Sequence, residues 1–258
     1  MIKFFKKIRQ NSIKENKTIN YLKYAFGEII LVVIGILIAL QVNNWNENRK
    51  AQKQEVQIYN ELKSDLSQTK KDILKTVSQH KEILKSNQQL IFDIHNKKPY
   101  SDSMYSLFAQ SGDDFMIIPK TSAFENLKNI GLNTLSNDRL RISITNLFQL
   151  DLKRLDNELG LNDSGISIFN ILLPYQKKYL FADFSKTKKY GFKHTDSITV
   201  YKMKIKDYNT FLTDNDLIKT LQLTLYNRSK KVDLEIETVN AIDKVIKGIE
   251  DELKSINK

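Results

Sequence analysis

A chain of 258 residues without a cysteine excludes disulfide staples, iron–sulfur ligation and thiol chemistry. Three prolines and eight glycines leave few breaks and favour long helices. The net charge of +11 would suit nucleic acid, but no zinc-finger, homeodomain or RNA-recognition pattern accompanies it. Six of those charges arise before residue 24, from seven basic residues against Glu15, and the remaining +5 is expected to be spread over helical faces.

Residues 1–22 read as a short basic cytoplasmic segment, with Lys3, Lys6, Lys7, Arg9, Lys14 and Lys17, joined by Lys23 at its edge. The run Ile29 to Leu40 (IILVVIGILIAL) follows, the longest stretch of the chain without a polar side chain. Twelve residues are too few to cross a bilayer, since a spanning helix needs about 20 at 1.5 Å each. Extension over 23–44 reaches the required length, with Tyr24 and Trp45 near the two interfaces. A buried core helix is the alternative, and Glu28 inside the window favours it; the lack of polar positions at a helical period argues against. No Ala-x-Ala pattern marks a signal-peptide cut. The lysine excess in the short flank predicts a single-span protein with its N-terminus cytoplasmic and its C-terminal domain exported.

Within the span, Glu28 and Gly35 lie seven residues apart, and Gly35 and Ala39 form a small-xxx-small pair. Together they mark a possible membrane-helix contact face. An intramembrane carboxylate points to function by default, but Glu28 is five residues from Lys23, and hydration or pairing at the interface is the preferred explanation.

The stretch YAFGEIILVVIGILIALQVNNWNENRK, residues 24–50, combines Gly27-Glu28, Gly35 and the polar exit Gln41 to Glu47 in fixed order. It resembles the N-terminal hallmark of an uncharacterised single-span membrane-protein family of Bacteroidota, a domain of unknown function. Residues 121–148 (TSAFENLKNIGLNTLSNDRLRISITNLF) are similar to that family's second recognisable block. The resemblance implies a bitopic inner-membrane protein with an exported helical domain, and no activity, cofactor or partner.

Residues 45–258 read as that exported domain. A long helix is expected over about 45–95, where Tyr59, Leu62, Leu66, Thr69, Ile73, Val77, His80, Leu84, Asn87, Ile91 and Ile94 fall three and four apart. From Trp45 to Ile94 it would rise roughly 75 Å if straight. Lys97, Lys98 and Pro99 end it, and Tyr100 to Lys120 is a connection with a short helix near Met104 to Phe108. A helix from Thr121 or Ser122, with Glu125 completing a capping box from Ser122, is closed by Gly131. Another runs from Ser136 or Asp138 to Leu159, turning Leu140, Ile144, Leu147, Phe148, Leu150 or Asp151, and Leu155 inward before Gly160. Gly165 to Phe184 is read as a helix kinked at Pro174, and residues 186–207 as a loop, because the alternation over Ser197 to Ile205 lacks an evident partner strand.

A second long helix is expected over 213–256, with Thr213 as N-cap and an apolar seam through Leu217, Leu221, Leu225, Val232, Ile236, Val239, Ile242, Ile246, Ile249, Leu253 and Ile256. The simplest burial of the two seams is antiparallel, with homodimerisation as the competing way. The predicted fold class is therefore all-α: an N-terminal transmembrane helix continuing into a long helix of an elongated bundle or coiled-coil domain.

No chemistry is legible. His80, His95 and His194 have no metal-ligand spacing, and neither a phosphate-binding glycine loop nor a nucleophile elbow is present. Asp113-Asp114 and Glu250-Asp251-Glu252 read as solvated faces, and Asp207, Asp214 and Asp216 follow no calcium-loop pattern. The expectation is a non-enzymatic structural or interaction protein with no cofactor and no metal. Its expected partners are the lipid bilayer and either a second copy or an envelope protein, not nucleic acid. A sensory or ligand-binding domain, with a pocket near Tyr175, Tyr179 and Phe181, is the alternative.

Overall fold

A computed structural model describes the backbone over 18–157 and 167–256, with side chains over 25–155 and 167–256. Residues 1–17 of the basic segment before the anchor and the expected helix end at Leu159 and Gly160 lie outside the described residues. In chain order come α1 (Thr18–His95), α2 (Asp102–Gln110), α3 (Ser122–Ile130), a 3-10 turn (Leu132–Thr134), α4 (Asp138–Asn146), a π turn (Leu147–Asp151) and α5 (Leu152–Asn157). Then follow α6 (Ile168–Tyr179), β1 (Leu180–Tyr190), β2 (Ile198–Ile205), α7 (Tyr208–Thr213) and α8 (Asn215–Ile256). The chain divides into two units, Met1–Gln57 and Ile58–Lys258.

In the first unit, the apolar part of α1 is not covered by any of the described residues. From Ile29 to Val42 its large apolar side chains are between 42% (Ile30) and 64% (Leu31) exposed. This is the one helix among the described residues that is long and apolar enough to cross a membrane.

In the second unit, α1 and α8 bury residues at intervals of seven. Tyr59, Leu66, Ile73, His80, Asn87 and Ile94 are buried on one, and Leu221, Arg228, Glu235, Ile242 and Ile249 on the other. Lys63 pairs with Glu250 (2.7 Å), Lys70 with Asp243 (2.6 Å) and His80 with Glu235 (3.0 Å), so the helices run antiparallel, as their seams predict. The two lysine pairs are part-exposed and contribute little; burial of the apolar levels, each fully buried aliphatic side chain contributing about 1.5–3 kcal/mol, holds the helices together. Past Val77 the seam takes Ile83 and Leu90, leaving Leu84 and Ile91 half-buried. Thr69 is no interruption: its hydroxyl accepts the Lys120 N–H (2.9 Å).

Two apolar cores result. One joins α1 and α8 to α3, α4, the π turn and α5, with Phe124 stacked on Phe148 at 4.5 Å. The other joins the end of α1 and the start of α8 to α2, α6, α7 and the base of the hairpin, around Phe108, Tyr179 and Phe211.

The loop reading of residues 186–207 is corrected. Ile198–Ile205 is a strand, and its partner is Leu180–Tyr190, in antiparallel register from Leu180↔Ile205 to Tyr190↔Ile198. The partner was hidden because Leu180 to Phe184 reads as the tail of an apolar helix, whereas α6 stops at Tyr179 with Pro174 inside it. A bulge between Asp183 and Thr187 also breaks the alternation of β1; there Asp183 accepts the Ser185 N–H and hydroxyl. The fold is thus a largely helical bundle carrying one two-stranded hairpin.

Two caps differ from expectation. No capping box forms at α3; its first turn is capped from α1, where Asp65 accepts the Ser122 hydroxyl (2.8 Å) and the Ala123 N–H (2.9 Å). The cap of α8 is Asp214 rather than Thr213, accepting the N–H groups of Asp216 and Leu217 at 3.1 Å each. The helix expected from Ser136 or Asp138 starts at Asp138, capped by Asn137, and opens into the π turn. That wider turn shifts the inward face, so Leu152 is buried while Leu150 is 56% exposed.

Candidate functional site

Glu28, Gly35 and Ala39 occupy the exposed part of α1. A Cβ built on Gly35 would meet nothing within 4 Å, so among the described residues no second helix touches this face.

The denser constellation lies between the two cores of the second unit. His80 on α1 is fully buried, with Nδ1 3.0 Å and 3.2 Å from the two Glu235 carboxylate oxygens and Nε2 3.3 Å from Asp114 Oδ1. The Lys231 ammonium, 5% exposed, donates to Asp114 (2.6 Å) and to the Phe115 carbonyl (3.2 Å). One heptad beyond His80 and Glu235 stand Asn87 and Arg228, both 0% exposed. Arg228 donates to the Ser111 carbonyl (3.2 Å), while its Nε and Nη1 and both amide atoms of Asn87 have no partner among the described residues. Two adjacent levels of the helix pair are therefore polar, and the segment from Ser111 to Phe115 closes over them.

The electrostatics follow from this enclosure. Burial would raise the Asp114 carboxyl, but hydrogen bonding from His80 and the charge and hydrogen bond of Lys231 prevail and hold it at about 2. Asp113 lacks such bonds, and burial raises it despite the nearby Arg228 charge. Burial also lowers the Arg228 guanidinium, opposed by Asp114, Asp113 and Glu235.

A neutral imidazole has one N–H, yet both ring nitrogens of His80 face carboxylates. The arrangement is satisfied only if the ring carries two protons or one carboxyl keeps its own. With imidazolium, the cations His80, Lys231 and Arg228 balance Asp113, Asp114 and Glu235. Metal binding does not fit, because Glu235 and Asp114 approach opposite nitrogens and cannot share one ion with the ring; no metal-ligand cluster occurs among the described residues. The layer is suited to fixing the register of two helices.

A cavity of about 590 Å³ lies between α2 and the hairpin, lined by Tyr105, Asp113, Lys188, Tyr190 and Tyr201 among others. The aromatic residues expected to line a pocket behave differently. Tyr179 is core, its hydroxyl donating to Asp214, and Tyr175 is half-buried with its hydroxyl 3.2 Å from that of Thr220.

The hairpin also overturns the expected spread of charge. Outside the first 23 residues the chain carries a net +5, and residues 180–206, with seven lysines against Asp183 and Asp196, account for all five.

Of the polar layer, His80 and Asn87 were legible as seam positions in the sequence; Asp114, Arg228, Lys231 and Glu235 were not. The available signal was the seven-residue ladder Leu221, Arg228, Glu235, Ile242, which an apolar count passes over.

Fold and site define a largely helical bundle protein with, among the described residues, one apolar helix of membrane-crossing length and a buried charged layer. The chain belongs to the family of unknown function DUF6090, whose model matches residues 28–170. That match includes His80 and Asp114 but not the hairpin or α8. No curated protein and no solved structure matches the chain.

Proposed function

We propose that the protein is a single-span, membrane-anchored structural or interaction protein of the bacterial envelope, with its N-terminus cytoplasmic and residues 45–258 exported. The observation that carries the anchor is the uncovered apolar surface from Ile29 to Val42, which water would not tolerate and lipid would cover. In this reading the helix pair is a scaffold, and Glu28, Gly35 and Ala39 form the face through which spans associate. The reading is non-catalytic and involves no cofactor or nucleic acid.

The cysteine-free sequence gives a background-free test of orientation. Ser255→Cys is expected to react with an impermeant maleimide in intact cells, and Ser12→Cys only after lysis. The reverse pattern, or release of the protein by alkaline carbonate, overturns the assignment. Purification of the intact assembly in mild detergent tests the interaction role, for which a reproducible envelope protein or a homo-oligomer is the expected outcome. A sensory or ligand-binding role is the second reading, favoured by the enclosed charged layer and the cavity beside it. A small molecule retained by a monomer would make it primary.

A further inference from the structure

The hairpin from β1 to β2 leaves the helical body at Leu180 and Ile205, and its residues from 184 to 203 are exposed on both strands. A two-stranded ribbon without a core of its own is marginal in water. This one presents aromatic rings as well: Phe184 is 75%, Phe192 54%, Tyr201 50% and Tyr190 41% exposed. Lysines accompany the rings, with Lys188 over Tyr190 at 4.8 Å and Lys204 over Phe181 at 5.0 Å. The bulge after Asp183 turns out Phe184, which meets Tyr201 edge-on at 5.0 Å.

We propose that this hairpin is a docking surface for an anionic lipid bilayer, with the lysines at the headgroups and Phe184 and Phe192 entering the boundary with the acyl chains. Two observations select that partner. The whole charge excess of the chain beyond its first 23 residues is concentrated here, giving complementarity to a polyanionic surface. Exposed phenylalanines add what a lipid surface uses and a hydrated acidic polymer does not, an apolar phase to receive them. The inference is independent of the anchor, because it concerns a surface presented to vesicles from outside.

The test uses full-length protein held by its apolar helix in zwitterionic nanodiscs and mixed with external vesicles. Capture is expected for phosphatidylcholine vesicles containing phosphatidylglycerol and not for phosphatidylcholine alone, and it weakens with salt. Lys189→Ala with Lys193→Ala should reduce affinity about 25-fold, about fivefold for each lysine. Phe184→Ser with Phe192→Ser should reduce it at least about tenfold, since two buried rings are lost. All four side chains are exposed, so unchanged helical content and thermal unfolding verify the fold of each variant. Equal capture of both vesicle types overturns the proposal. So does binding that survives the lysine changes, or that survives the phenylalanine changes while a soluble polyanion competes fully; the last result would assign the surface to an acidic polymer.

Discussion

Asp114→Asn is the sharpest probe of the charged layer. The wild-type carboxyl is held at about 2 against an ordinary value of 3.8, a difference that corresponds to about 2 kcal/mol. Because the folded-state value is depressed, this stability is fully present above the unfolded value near pH 4 and is lost as pH falls through about 2. Asparagine also leaves Lys231, 5% exposed, without its carboxylate, so the total loss at neutral pH should reach about 3 kcal/mol. For a domain of this size that is a fall of about 6–12 °C in Tm. Circular dichroism of the full-length protein in detergent micelles, followed through heat and urea, would measure it at several pH values. The deficit should shrink from pH 4 towards pH 2, and Asp114→Asn with Lys231→Met should recover much of it at pH 7. Equal stability of wild type and the single variant at pH 7, or a deficit independent of pH, would refute this account of the layer.

Asp65→Ala removes the cap that α1 supplies to α3 and should cost about 1–2 kcal/mol in urea unfolding, whereas Glu125→Ala, the partner in the capping box that does not form, should cost under about 0.5 kcal/mol. Asp214→Ala uncaps α8 and should cost about 1–2 kcal/mol, read as loss of amide-exchange protection in the first turn of that helix. The π turn is tested by a pair: Leu152→Ala should lose about 2–5 kcal/mol and Leu150→Ala under about 0.5 kcal/mol, and equal losses would contradict the shifted face. In membranes, Gly35→Leu should abolish crosslinking between spans if Glu28, Gly35 and Ala39 form their contact, and an undiminished yield would remove that face from consideration.

The long helices were legible because their apolar positions repeat over many turns, and the antiparallel pairing followed from their comparable lengths. Part of what escaped depended on a residue far away in sequence. Asp65 caps a helix 57 residues on, which no local capping pattern can show. The strand Ile198–Ile205 was visible as alternation and rejected for want of a partner, while that partner was disguised as the end of α6. The charged layer escaped for a third reason: Arg228 and Glu235 occupy core positions, but residue type alone places such groups outside. Only Asp114, His80 and Lys231 brought together explain why they are inside.

The antiparallel pairing of α1 with α8 also sets the order in which the domain can form. Lys63 finds Glu250 and Leu66 shares a core with Ile249 only after nearly the whole domain has been synthesised. Until α8 arrives, the inner face of α1 and the apolar sides of α3 to α5 can close only against one another, and loop closure over this span is slow. The emerging chain therefore passes through a period of exposed hydrophobic surface, when aggregation competes with folding. A truncation that removes the last turns of α8 should act less as a local lesion than as a stalled assembly, with degradation setting in before any core is complete.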